Sequence, residues 1–476
     1  MQRTMRRRNN LFVGILLLLF FTDLKANDSL KLSFNDYMGM VVRFHPVARQ
    51  ATLLNDQSRY NLMMARGNFD PTLGADFSNK FYSGTQYYAL LNTLATVPIW
   101  FGPEIKMGFD QSQGAYVNAM DQMPASGLLY AGIKVPLAQG LLIDHRRAAV
   151  MQARIFERAN EQQQQLILNE LFYEASRCYY DWMLYDQNVL VYRNGVDLAR
   201  QRLNFVRSLH AVGERPGVDT LEAFIQLQSR QMLLNEAELV SKNQKLVLSV
   251  FLWGEDMRPM DLRDDVHPDR IDLSLIKSVS PAEDQRGMDT LSTSHPAMLL
   301  YNYKLQDLEI ERRYKTDKLK PKLSAQYNFL GYPVSGNDFP VFSTENYKWG
   351  LQFSFPVFLR QERGAIGLTK VKIQQAQLDR DLKSMELQVK WRSAYNELLF
   401  LREQMQMAES NLVNYRRLLD AERMKFVQGE SSLFMINARE VMVIETEVKF
   451  NEIRAKYFKS YAAYRFASGF ANRMNP

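Results

Sequence analysis

The chain has 476 residues, a formal net charge of +7 and one cysteine. Its first 26 residues carry much of that charge: Arg3, Arg6, Arg7, Arg8 and Lys25 against Asp23 give +4, which leaves the rest near +3. So small an excess withdraws support for a nucleic-acid partner, and the lone Cys178 excludes an intrachain disulfide.

MQRTMRRRNN is basic, LFVGILLLLFF is an apolar run of 11 residues, and LKA closes on a small residue. This is the pattern of a secretory signal peptide over 1–26. The run falls short of the roughly 20 residues that span a bilayer as a helix. No later run of 18 apolar residues exists, so a membrane-crossing form of this chain is a β-barrel.

The remaining chain reads as one unit written twice. HPVARQATLLNDQSRYNLMMARGNFDPTL starts at His45 and HPAMLLYNYKLQDLEIERRYKTDKLKPKL at His295. The alignment resumes at Leu171 with Leu387 and at Tyr179 with Tyr395, and ends at Gly254 with Gly469. Self-similarity over such distances marks repeat architecture. The expected first repeat is 27–254, the second 295–476, with 255–294 between them. Each reads helix, strand, strand, long helix, helix.

Strands follow each Pro-x-Leu. TLGADFSNKFY alternates Leu73, Ala75, Phe77 and Phe81 with Gly74, Asp76, Ser78 and Lys80. LYAGIKVPL, KLSAQYNFL and YKWGLQFSFPV alternate in the same way. Such alternation over about ten residues is the signature of transmembrane β-strands. Pro71 to Pro136 is 65 residues, but Pro321 to Pro356 only 35, so the first repeat holds about 30 extra residues around LATVPIWFGPEIKMGFDQSQGAYVN. These are expected at the outer end of the barrel, as a hairpin over its mouth. Four strands cannot enclose a lumen. The protomers must therefore pool them, and three copies give twelve.

No proline interrupts 137–215 or 357–475, which permits long helices. Apolar seams step by three and four through Leu171, Ala175, Cys178, Trp182 and Val189, and again through Leu387, Trp391, Ala394, Leu398 and Leu401. These are coiled-coil heptads. They predict helices over 142–208 and 362–428, each roughly 100 Å long at 1.5 Å per residue, with shorter helices over 46–67 and 219–253. Cys178 lies in the seam, which suits a small buried apolar residue.

These features, in this order and twice over, resemble the TolC-type outer-membrane efflux factors along the mature chain. The carrying stretches are HPVARQATLL and HPAMLLYNYKL, FDPTL and LKPKL, VPLAQG and FPVFLRQERG, and FVQGESSLFMINARE. The resemblance implies an α+β membrane protein: a long α-helical coiled-coil tunnel plus a transmembrane β-barrel shared between protomers, internally duplicated. It implies a homotrimer in outer-membrane lipid that extends into the periplasm. There the trimer would meet a periplasmic adaptor (membrane fusion) protein and an inner-membrane transporter, with no nucleic acid and no cofactor. By the same resemblance 255–294 is equatorial, and the hairpin tips VGERPGVDTLEA and VQGESSLFMINARE are the periplasmic constriction or adaptor contact. The expected tip residues are Asp219, Glu222, Glu430, Asn437, Arg439 and Glu440. Asp219 also suits a helix N-cap. Met435 and Asn437 depart from the family, which carries an aspartate pair about there.

Catalytic signals are lacking. None of the five histidines stands at metal-ligand spacing, and no Gly-rich phosphate loop, Cys cluster or Gly-x-Ser-x-Gly occurs, so no enzyme is expected. Two other readings stay open at this point: a duct for type I protein secretion, and a periplasmic coiled-coil rod or adaptor without a pore.

Overall fold

The computed structural model of the chain describes residues 30–269, 291, 293–332 and 341–469. The expected signal peptide and most of 255–294 lie outside the described residues. In chain order the elements are β1 (Lys31–Leu32), α1 (Phe34–Phe44), α2 (Pro46–Gly67), β2 (Thr72–Tyr82), β3 (Thr85–Pro98), β4 (Glu104–Gln113), β5 (Leu128–Pro136), α3 (His145–Ala211), α4 (Gly217–Ser249), β6 (His267–Pro268), α5 (Pro296–Asp317), β7 (Lys322–Tyr332), β8 (Val341–Ser354), α6 (Arg360–Val427) and α7 (Leu433–Ala467). The duplication is visible in element lengths: 22 residues in α2 and in α5, 11 in β2 and in β7, 67 in α3 against 68 in α6, and 33 in α4 against 35 in α7.

The chain folds into two compact units that cut across these repeats. One comprises Met1–Pro46, Glu174–Ser278 and Leu398–Ala462; the other comprises Val47–Tyr173, Val279–Glu397 and Ala463–Pro476.

The second unit contains one six-stranded antiparallel sheet, in the order β2-β3-β4-β5-β7-β8. This corrects the expected four strands. The extra residues of the first repeat are no cap over a mouth: they supply β3 and β4 as full members of the sheet. The turn between them, Ile99–Pro103, is closed by Ile99 N–H donating to Pro103 O at 2.8 Å. It is also tied to the first turn of α3, where Arg146 meets Glu104 at 2.8 Å, and to the segment after α2, where the Phe69 and Trp100 rings lie 5.3 Å apart.

Pairing register sorts the side chains onto two faces, because strand residues alternate and paired residues share a side. One face carries Leu73, Ala75 and Phe77 of β2, Leu91, Ala95 and Val97 of β3, Ile105, Met107 and Phe109 of β4, Leu129, Ala131 and Ile133 of β5, Ala325, Tyr327 and Phe329 of β7, and Tyr347, Trp349 and Leu351 of β8. The other carries Asp76, Asn92, Lys106, Asp110, Lys134, Gln326, Asn328 and Lys348. The apolar face stands in the open: Leu73 is 84% and Phe353 68% exposed.

One glycine locks the middle strands together. Tyr130 of β5 lies across Gly108 of β4, and its hydroxyl donates to Thr93 O of β3 at 3.1 Å. A Cβ at Gly108 would stand 2.1 Å from Thr93 O and 2.4 Å from Tyr130 Oη. The same unit packs Trp391, Ala394 and Ala467 with Leu291 into a core cluster flanked by Tyr464. His295 caps α5 by accepting from Ala297 N–H at 3.1 Å, ahead of Pro296 at the first helical position.

In the first unit Ser33 caps α1, and the helix buries Tyr37, Met38 and Val41. Phe34, Tyr37, Tyr179, Tyr180, Trp182 and Phe458 form an aromatic cluster. Along α3 and α6 the predicted seam residues Ala175, Trp182, Val189, Leu398 and Leu401 are all buried, and the seams continue through buried Val196, Met405 and Leu412. Cys178 is half-buried, and burial, with Asp181 and Glu174 nearby, pushes its thiol up to about 11. No helix among the described residues is long and apolar enough to cross a membrane.

Candidate functional site: the paired helix hairpins

Two turns close the long helices onto their shorter partners, and they are built alike. After α3, Gly213 takes φ +83°, its N–H donates to His210 O, and Glu214 N–H donates to Leu209 O. After α6, Gly429 takes φ +81°, its N–H donates to Phe426 O, and Glu430 N–H donates to Lys425 O. Both are Schellman-type stops, which require a left-handed residue and so select glycine. The next helices start differently. Ser432 accepts from Met435 N–H at 3.3 Å ahead of α7, whereas α4 starts after Pro216 with no side-chain cap.

Asp219 is therefore not the N-cap of α4. It sits in the helix's first turn, where a carboxylate complements the macrodipole, and faces Arg215 at 3.6 Å. Arg215 in turn stacks over the Phe426 ring at 5.3 Å, which links the two hairpins.

The strongest tie lies just behind the tips. Glu440 of α7 is 2% exposed and meets three arginines. Arg230 of α4 approaches its Oε2 at 2.9 Å, Arg423 of α6 its Oε1 at 3.2 Å, and Arg202 of α3 pairs with Oε1 as well. Arg202 also donates to the Asn437 carbonyl oxygen, and the Asn437 amide donates to Glu222 at 3.2 Å. Arg230 further donates to Gly195 O at 3.1 Å. One buried carboxylate thus joins all four helices. Burial pushes the Glu440 carboxyl up, but the arginines outweigh it and hold the group below its ordinary value. Burial lowers the Arg230 guanidinium despite Glu440.

Two apolar clusters flank this network: Leu203, Val206, Ala223 and Leu433 toward the tips, and Val189, Val196 and Leu234 on the other side. Arg439 faces Glu422 at 3.7 Å, and Glu422 accepts from Ser431 at 2.5 Å. Glu430 is exposed. The six expected tip residues therefore divide. Glu222, Asn437 and Glu440 belong to one network, Asp219 and Arg439 to separate ion pairs, and Glu430 stands in the open. Arg202, Arg230, Arg423 and Glu422 were not anticipated. Among the described residues no cluster of His, Cys, Asp and Glu could hold a metal ion.

Residues 321–441 match the family model described as outer membrane efflux protein. No curated protein matches the sequence. Among solved structures, the fold is similar to the open-state MtrE outer membrane channel of Neisseria gonorrhoeae, with a TM-score of 0.65 at 13% identity over 94% of each chain. It is also similar to the CmeC outer membrane channel of Campylobacter jejuni, at 0.61 and 14% over 95% of this chain and 92% of that one. The outer membrane protein VceC of Vibrio cholerae gives 0.61 and 12% over 92% of this chain and 96% of that one.

Proposed function

For a chain related to the outer membrane efflux proteins, by the sequence of 321–441 and by its fold, we propose the role of a trimeric exit duct in the outer membrane. The duct is a passive channel and no enzyme. It receives solutes through a periplasmic adaptor protein from an inner-membrane transporter. The observation that carries this reading is the sheet, in which all six strands share one apolar face and the charged side chains concentrate on the other. A water-soluble rod has no use for such a sheet, whereas lipid on one side and water on the other require it.

The hairpin ends are the constriction of the idle duct. Asp219 and Glu222, three residues apart on one helix face, present carboxylates there in each copy, and three copies surround the opening with a cation-attracting ring. The Glu440 network holds the four helices of each copy in the closed arrangement. Crosslinking of isolated outer membranes tests assembly, with a heat-modifiable trimer expected; a soluble monomer in the periplasm overturns the reading. Neutralising the ring (Asp219→Asn with Glu222→Gln) lowers cation preference in a planar bilayer while trimers persist. Unchanged selectivity removes both residues from the pore.

A further inference from the structure

We infer that the membrane part of the assembled duct is an eighteen-stranded barrel, in which β8 of each copy pairs with β2 of the next. This rests on the trimeric reading above but is carried by the sheet itself. β2 and β8 are the two edges of the sheet and have no strand neighbour on their outer sides among the described residues. Both expose large apolar side chains beside their free backbone edges: Leu73, Phe77 and Phe81 on β2, and Trp349, Leu351 and Phe353 on β8. In hydrocarbon a free strand edge cannot persist, because its N–H and C=O groups find no water. Each edge must meet another strand, and a second copy of the chain supplies one. All five pairings in the sheet are antiparallel, so β2 and β8 run in opposite directions. Head-to-tail pairing of copies then continues the antiparallel order around the ring without a break.

The number of strands follows from β3 and β4 being inside the sheet. Both carry the apolar face in register with β2 and β5, through Leu91, Ala95, Met107 and Phe109. Tyr130 reaches across β4 to hydrogen-bond β3. A hairpin folded away into water would have no reason for a continuous apolar face and would lose that bond. With strands 4.8 Å apart and tilted about 40°, twelve strands enclose a backbone diameter of roughly 24 Å and eighteen roughly 36 Å. Side chains do not fill the wider ring, which is of the size that leaves an aqueous channel. The barrel therefore does not sieve the exported solute by size, and selection falls to the helical hairpins.

The test uses the full-length protein with Cys178→Ser and introduced cysteines. Single cysteines at Leu91, Ala95 and Met107 and at Asn92, Thr96 and Asp110 are treated with a charged maleimide in outer-membrane vesicles. The second set should react at least tenfold faster than the first. Paired cysteines drawn from Gly74, Asp76 and Ser78 on β2 and from Lys348, Gly350 and Gln352 on β8 are oxidised and run on denaturing gels. Some of these pairs should give ladders ending at three chains. If ladders form but both sets in β3 and β4 react equally fast, the hairpin lies in water and the eighteen-stranded count is wrong, while the trimeric duct stands. If no pair crosslinks and the chain is not in the membrane, the duct reading itself fails.

Discussion

Arg230 reaches Glu440 at 2.9 Å in a site where both side chains are about 95% buried or more. Neither residue is near the other in sequence, and each comes from the shorter helix of its hairpin. The pair, with Arg202 and Arg423, joins all four helices between two apolar clusters.

Removing the carboxylate from this centre takes away the ion-pair partner of the Arg202 and Arg230 guanidinium groups, while Arg423 keeps Asp420 at 3.6 Å. Glu440→Gln should cost about 3–5 kcal/mol, as expected when one partner of a buried pair is lost. Thermal unfolding followed by circular dichroism measures it, with Glu430→Gln as an exposed control within about 0.5 kcal/mol of wild type. The pH dependence has a definite sign. The folded carboxyl lies below its ordinary value, so its stabilisation is present above the unfolded value and is lost as pH falls through the folded one. Glu440→Gln should therefore flatten the acid limb of the stability profile.

His295 works in the opposite charge state. Burial, with Lys383 and Lys390 nearby, lowers its imidazole from 6.5 to about 4, and the neutral ring accepts the Ala297 N–H. Stability from this cap is complete above pH 6.5 and is lost as pH falls toward 4, by about 3 kcal/mol at most. His295→Asn keeps a capping acceptor and does not titrate. Its stability should change less than wild type between pH 7 and 4, whatever its absolute level.

Trp182 and Leu398 hold seam positions on α3 and α6 and are 0% and 3% exposed. Truncation of either to Ala should cost about 2–5 kcal/mol through lost burial and the cavity left behind. Chemical denaturation of the purified protein reports this, and wild-type midpoints for both variants would contradict their burial.

Gly108→Ala places a methyl group where Thr93 O and the Tyr130 hydroxyl already stand. Backbone cannot yield there as a flexible side chain could. The β3–β4 pairing should fail, and heat-stable trimers should fall severalfold on unheated gels. Gly350→Ala, with nothing within 4 Å of the added atom, should assemble normally.

Helix positions were legible because proline is absent from two long stretches and the seams keep their period. The predicted 142–208 and 362–428 differ by one to three residues at each end from His145–Ala211 and Arg360–Val427. β2, β5, β7 and β8 were legible from clean alternation. β3 was not, for a physical reason: Tyr88, Leu90 and Leu94 put apolar side chains on the polar face beside Asn92 and Thr96. TQYYALLNTLATVP therefore carries apolar residues on both faces and does not read as alternating. At the hairpins, the partners of Glu440 lie up to 238 residues away, beyond any local motif. One clue was present. Arg230 falls between Leu227 and Leu234 at the spacing of the α4 seam, where a charge has to find a buried partner.

The inserted pair of strands also says how such a duct can change girth. A single added strand would set two neighbours parallel and deliver the chain to the wrong side of the membrane for the helix that follows. A hairpin returns it to the side it left. Every alteration of the gene is then repeated by each copy in the ring, so the smallest permitted step in a ring of three is six strands.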